Sequence, residues 1–240
     1  MKKNSIYFCN EKYFNLTLNQ CTWLIFFSML YLGIMISNTI LTEKWIALGR
    51  YFVFGGAFVS PFLFFLGDII AEIFGYSIAE KIIWCGFISQ TIFAFIVKIF
   101  LHTTAPVNWH EAHSFCYVLD PLLRIDISGF VAFVVSSTVN ISIITKWKIL
   151  MRGRFFWLRS IGSSTVAEAV YSAIAILMIG FGTLSFSSML PVIEITCLIK
   201  IIYSLILAYP GAIFVNYLKD RLHIDVYETN PNMNPFLMEK

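Results

Sequence analysis

Long apolar segments separated by short polar ones constrain the fold of this chain more than any other feature. Each is about 20 residues long, the length that an α-helix needs to cross a hydrocarbon core of roughly 30 Å. Of the 240 residues, 58% are hydrophobic and 13% charged, whereas about a quarter of a soluble domain is usually charged. The sequence therefore predicts an all-α membrane protein with six transmembrane helices, at about 21–40, 51–75, 81–101, 122–145, 160–182 and 191–217.

The distribution of positive charge predicts the orientation of these helices. The connector 146–159 holds five lysines and arginines, whereas the loops 102–120 and 183–190 hold none. Positively charged loops stay on the cytoplasmic side, so the connector should be inside and both loops outside. Six spans then place both termini in the cytoplasm. We expect a polar leader (1–20), a transmembrane domain (21–218) and a cytoplasmic tail (219–240) in a protein of the plasma membrane.

Several function classes find little support in the sequence. The net charge is +3, and the basic residues lie beside the spans, which indicates membrane orientation and not nucleic-acid binding. The five cysteines form no CxxC pair, and no Walker, Rossmann or HExxH pattern is present. We therefore expect no metal site, no cofactor and no enzymatic activity.

Charged residues inside the predicted spans are the main candidates for a functional site. A charge near the bilayer centre costs on the order of 2.5–3.5 kcal/mol, so it needs a partner or a water-filled cavity. Asp68 and Glu72 lie one helical turn apart after Pro61 in the second span. At 1.5 Å per residue, Asp68, Glu168 and Lys200 lie roughly 10–13 Å inside their spans. The three either pair with one another or form a substrate or proton site.

Other candidates lie nearer the membrane surfaces. Glu72 is close enough to the cytoplasmic edge to be interfacial, and Arg124 either extends outward to solvent or contacts substrate with Asp126. Trp109 lies in the longest polar loop, which we expect to close over an external site. Proline residues break the second and sixth spans, a feature that often flanks transporter sites. We therefore expect the second, fifth and sixth spans to form the walls of the site.

The second span also carries a recognisable order of residues. Pro61 precedes a short apolar run, then Asp68, then Glu72 three residues before Gly75, and residues 79–87 follow as AEKIIWCGF. The later matches are an arginine-led fourth span (124–133), the segment WLRSIGSST (157–165), and Lys200 with Pro210. In this combination, over about residues 30–218, the chain resembles the queuosine precursor transporter family, also called the vitamin uptake transporter family.

The resemblance implies a fold similar to the substrate-binding subunits of energy-coupling-factor vitamin importers. It also implies uptake of 7-deazaguanine precursors of the tRNA nucleoside queuosine by a stand-alone carrier. The expected partners are a 7-deazapurine, the lipid bilayer and a coupling proton, and a homo-oligomer is compatible with the sequence. The alternative is a substrate-binding subunit that needs an external ATP-driven partner.

Two places depart from the family pattern. Late in the fourth span, where family members often carry glutamine and aspartate, this chain has Ser137 and Asn140. In the fifth span, where a polar residue and then aspartate are common, it has Ala169 and Ser172, with Glu168 nearby. Asn140 and Glu168 are therefore candidate ligand contacts. The precursor bases preQ0 and preQ1, the base queuine and the nucleoside all remain candidate substrates.

Overall fold

The computed structural model of the chain describes residues 7–8, 16–106, 108–150, 156–224 and 226–227. Within these residues the chain is mostly helical. The elements in chain order are β1 (Tyr7–Phe8), α1 (Leu18–Thr42), β2 (Trp45–Leu48), β3 (Tyr51–Phe54), α2 (Gly56–Phe74), α3 (Tyr76–Leu101), α4 (Ala112–Leu119), α5 (Leu122–Leu150), α6 (Phe156–Gly180), α7 (Phe186–Leu222) and β4 (Val226–Tyr227).

Six of these helices overlap the six predicted spans. Four helical segments of the described chain are long and apolar enough to cross a membrane, namely Leu18–Thr42, Gly56–Phe74, Ser77–Leu101 and Phe186–Leu207. For α5 and α6 the membrane crossing stays a prediction. α1 begins three residues before the predicted start because Thr17 and Gln20 form a capping box, in which each side chain accepts a hydrogen bond from the other's backbone N–H.

The predicted start of the second span is wrong. Residues 51–54 are not helical but form β3, which pairs antiparallel with β2 in a hairpin. The two-residue turn places Gly49 at a φ of +62°, which suits glycine. Trp45 stacks on Phe52 across the strands, with ring centroids 4.8 Å apart. Aromatic residues favour strands as well as spans, so the apolar character of this segment did not identify its structure.

Further boundaries differ from the prediction, and α3 begins at Tyr76, five residues before the predicted start of the third span. The loop 102–120 contains the short helix α4. Most of the connector 146–159 is helical, because α5 continues to Leu150 and α6 begins at Phe156. α7 begins at Phe186 and ends at Leu222, four residues past the predicted end of the transmembrane domain. The helix continues through both of its prolines, Pro191 and Pro210.

Two groups of buried apolar side chains hold the long helices together. One joins α1, α2, α3 and the end of α7, and includes Phe27, Ile70 and Leu218. The other joins α5, α6, the start of α7 and β3, and includes Ile176 and Val192. These groups fix the positions of the helices whose polar side chains are described below.

Both ends of the described chain lie on the same side of the bundle. β1 pairs with β4 in parallel, and the Gln20 side chain at the start of α1 donates a 2.9 Å hydrogen bond to the Leu222 carbonyl oxygen at the end of α7. An even number of crossings requires this arrangement. The cytoplasmic location of these ends stays a prediction.

Candidate functional site

A cavity of about 440 Å³ lies inside the bundle and is lined by residues of all six long helices. Its volume is in the range of roughly 300–1,000 Å³ that is typical of small-molecule sites. The predicted walls, the second, fifth and sixth spans, correspond to α2, α6 and α7. The structure adds α1, α3 and α5 to them.

Asp68 on α2 lines this cavity. Its side chain is exposed, whereas the next two residues, Ile69 and Ile70, are buried against neighbouring helices. The adjacent cavity residue Gly67 leaves open space, since a Cβ atom there would meet nothing within 4 Å. Asp68 is therefore a carboxylate that a ligand in the cavity can reach.

Lys200 on α7 is a buried ammonium on the cavity wall, with only 2% of its surface exposed. Its Nζ lies 4.6 Å from the centre of the Tyr171 ring and 4.9 Å from that of Phe64, and these two rings meet edge to face. Among the described residues no hydrogen-bond acceptor reaches this Nζ. The two aromatic faces offset part of the cost of burying the charge, and the three N–H donors remain available.

Glu168 on α6 completes a group of three charges around the cavity. Its side chain is half-buried and lines the same space. It is near enough to interact electrostatically with both Asp68 and Lys200. The structure thus brings together the three residues for which the sequence indicated similar depths, while their part in binding stays a prediction.

Asp126 on α5 is buried between α3 and α5 and does not line the cavity. Its Oδ1 accepts a 2.6 Å hydrogen bond from Gln90 Nε2, and its Oδ2 lies 2.6 Å from Thr91 Oγ1. Gln90 itself lines the cavity. Asp126 therefore reaches the site through a neighbour and not directly.

Glu72 is separated from the cavity although it shares a helix face with Asp68. Its side chain is 60% exposed and forms an ion pair with Lys219 near the end of α7. Glu72 is not among the residues that line the cavity. The two acids of the second span therefore have different surroundings.

Arg124 and Trp109 lie away from the cavity lining. Exposed Arg124 reaches the Phe181 carbonyl oxygen at 3.5 Å. Trp109 is 44% exposed and packs on Phe115 in the loop 102–120, and its closure over an external site stays a prediction. The side chain of Asn140 lies outside the described part of the structure.

Glu43 lies at the opposite end of the bundle from Glu72, just after α1. Burial raises the pKa of its carboxyl above the ordinary value, and the positive charge of Arg124 opposes this shift. The pair brings the end of α1 near the start of α5. Glu43 lies outside the spans and is not part of the cavity lining.

Several polar residues of the cavity lining were not among the predicted site residues. Asn38, Gln90 and Tyr171 all line the cavity, and the side-chain oxygens of the two amides have no hydrogen-bond partner among the described residues. An amide inside an apolar span is itself costly unless satisfied. That signal was present in the sequence for Gln90 and could have identified it.

Comparison of the sequence with known proteins identifies a family. The profile of a family described as "Putative vitamin uptake transporter" matches residues 54–215. No curated protein and no solved structure matches the chain significantly. The family profile covers more than half of the chain, from β3 to near the end of α7, and includes every helix that lines the cavity except α1.

The chain belongs to the vitamin uptake transporter family. Membership and the four long apolar helices together identify an integral, multi-pass membrane protein. Its role is the transport of a small, vitamin-like molecule, which is a non-enzymatic one.

Proposed function

We propose that this transporter imports a 7-deazapurine that is a precursor or salvage form of queuosine, as a stand-alone secondary carrier in the plasma membrane. The observation that carries the proposal is the composition of the cavity. It presents the carboxylates of Asp68 and Glu168 and the buried ammonium of Lys200 beside two aromatic rings.

These groups match the chemistry of a 7-deazaguanine. A flat heterocycle packs well on aromatic side chains such as Phe64 and Tyr171. Carboxylates accept hydrogen bonds from ring N–H and exocyclic amino groups, and an ammonium donates to a ring carbonyl. In a precursor with a cationic aminomethyl group, Asp68 or Glu168 would also supply the opposite charge.

The same acids offer a route for coupling. A carboxyl group inside a membrane protein often carries a proton or holds a substrate, and Asp68 is open to the cavity. We therefore assign the coupling proton, like the base, to the group formed by Asp68, Glu168 and Lys200. Glu72 is left out of this group because it pairs with Lys219.

Uptake by purified protein in liposomes tests the proposal. With an imposed proton gradient, the protein alone should accumulate radiolabelled preQ0, preQ1 or queuine, and collapse of the gradient should abolish accumulation. Binding without accumulation would instead indicate a substrate-binding subunit that needs an ATP-driven partner. Failure of all the 7-deazapurines to bind would overturn the proposed substrate class.

A further inference from the structure

The amide of Gln90 is an unusual feature of the cavity wall. The residue lies on α3, only 3% of its surface is exposed, and it lines the cavity. Its Oε1 is buried and has no hydrogen-bond partner among the described residues. An amide oxygen left in this state costs free energy unless a bound molecule satisfies it.

Asp126 determines which end of this amide turns away from it. Its Oδ1 accepts from Gln90 Nε2 at 2.6 Å. Its Oδ2 is occupied by Thr91 Oγ1, also at 2.6 Å, and that hydroxyl lies 2.9 Å from the Phe87 carbonyl oxygen on its own helix. Both carboxylate oxygens of Asp126 are therefore engaged by α3.

The chemistry of Asp126 and Gln90 fixes the orientation of the Gln90 amide. An ionised carboxylate only accepts hydrogen bonds, whereas a glutamine amide has a donor nitrogen and an acceptor oxygen. With its NH₂ group bound to Asp126, Gln90 keeps its oxygen unpaired among the described residues, on a residue of the cavity wall. Reversing the amide would place oxygen against oxygen and leave the carboxylate without its donor.

We propose that Gln90 is a specificity-determining residue that accepts a hydrogen bond from an N–H group of the transported base, and that Asp126 is the positioning residue that holds it in this orientation. The inference rests on the proposed function, because it names the contact that a 7-deazapurine would make on α3. Lys200 on α7 offers donors to the same cavity. The ligand must therefore carry an N–H donor for Gln90 and an acceptor for Lys200.

Binding of singly N-methylated analogues to the purified full-length protein provides the test. Each analogue of 7-deazaguanine replaces one N–H by N–CH₃, and its Kd is compared with that of the parent base. In the wild-type protein at least one methylation should weaken binding tenfold or more. If no methylation weakens it more than threefold, the inference is overturned without recourse to any variant.

Two variants then show which residues cause this loss of affinity on methylation, called the penalty below. Gln90→Met removes the acceptor at similar size, and the penalty at the sensitive position should fall below threefold. Asp126→Asn keeps the shape but supplies a donor of its own, so both orientations of Gln90 become available and the penalty should also fall. Ser128→Ala is the matched control, because this buried α5 hydroxyl donates to the Arg124 carbonyl oxygen of its own helix. The loss of affinity on methylation should persist in this variant.

The outcomes separate the claims. A penalty that survives Gln90→Met would remove Gln90 as the contact. A penalty lost in Gln90→Met but kept in Asp126→Asn would leave Gln90 as the contact and remove Asp126 as its positioning residue. No binding of the unmethylated base to the wild-type protein would overturn the proposed function and this inference with it.

Discussion

The Nζ of Lys200 lies 4.6 Å from the centre of the Tyr171 ring, on the wall of a cavity inside the membrane-spanning bundle. The ring belongs to α6 and the ammonium to α7, so the contact joins two helices at the site itself. Because no acceptor among the described residues reaches the Nζ, the ring stabilises the charge while leaving its donors to a ligand.

Replacing Lys200 by methionine should separate binding from stability. Burying a charge without a hydrogen-bonded partner is costly, and no acceptor among the described residues reaches the Lys200 Nζ, so an apolar residue of similar size should cost little stability there. We expect Lys200→Met to keep or raise the melting temperature in detergent while 7-deazaguanine binding weakens at least tenfold. Lys98→Met, which removes a lysine from a surface pair with Asp120, is the control and should bind normally. A fully active Lys200→Met would contradict the assignment.

The two acids of α2 should respond differently to loss of charge. Asp68→Asn alters a side chain that faces the cavity, so gradient-driven uptake should fall at least tenfold. Glu72→Gln alters an exposed ion pair, which is worth about 0–1 kcal/mol, so uptake should stay within about threefold of the wild type. The measurement is initial uptake rate in liposomes at matched protein density. Equal loss in both variants would show that the shared helix face, and not the cavity, decides their roles.

Gly56 should tolerate no side chain. A Cβ atom there would lie 2.2 Å from Thr42 Oγ1 and 3.1 Å from Asn38 Oδ1, so either Thr42 must give up its hydrogen bond to the Asn38 carbonyl oxygen or α1 and α2 must separate. Overpacking of this kind costs about 1–3 kcal/mol, and Gly56→Ala should lower the melting temperature by several degrees. The matched control is Gly33→Ala on α1, where a Cβ would meet nothing within 4 Å. That variant should melt at or slightly above the wild-type temperature, since alanine favours helix.

The raised pKa of Glu43 predicts a pH-dependent effect on stability. When the pKa of a carboxyl is higher in the folded than in the unfolded protein, the fold favours the protonated form. Ionisation of the carboxyl therefore destabilises the folded protein as the pH rises. Glu43→Gln should therefore melt above the wild type at pH 7, and the difference should shrink as the pH falls towards about 4, the ordinary range of glutamate.

A second substitution checks the cause of this effect. Arg124 opposes the pKa shift at Glu43, so its removal should make the ionised carboxylate more costly. In an Arg124→Met background, Glu43→Gln should therefore raise the melting temperature at pH 7 by more than it does in the wild type. Glu111→Gln, which removes an exposed carboxylate from the loop 102–120, controls for net charge. A difference that is constant from pH 4 to pH 7 would contradict the assigned cause.

The long helices and three of the cavity charges could be predicted because apolar length and position within a span are both read directly from the sequence. Apolar length marks a helix, and distance from its end gives the depth of Asp68, Glu168 and Lys200. Hydrophobicity alone did not distinguish strand from helix at residues 51–54, since short apolar runs fit either. The contact of Gln90 with Asp126 depends on how α3 and α5 are placed and rotated relative to each other. The residue pattern of a single helix carries no information about that arrangement.

The difference in length between α2 and α7 gives the β2–β3 hairpin a structural purpose. At 1.5 Å per residue, the 19 residues of α2 extend about 28 Å and the 37 of α7 about 55 Å. The two helices meet at one end through Glu72 and Lys219, so the excess length of α7 falls at the other. There Phe54 of the hairpin packs with Met189 and Val192 of α7. The hairpin thus extends the short helix, and trimming it would remove one of the neighbours against which the first turns of the long helix pack.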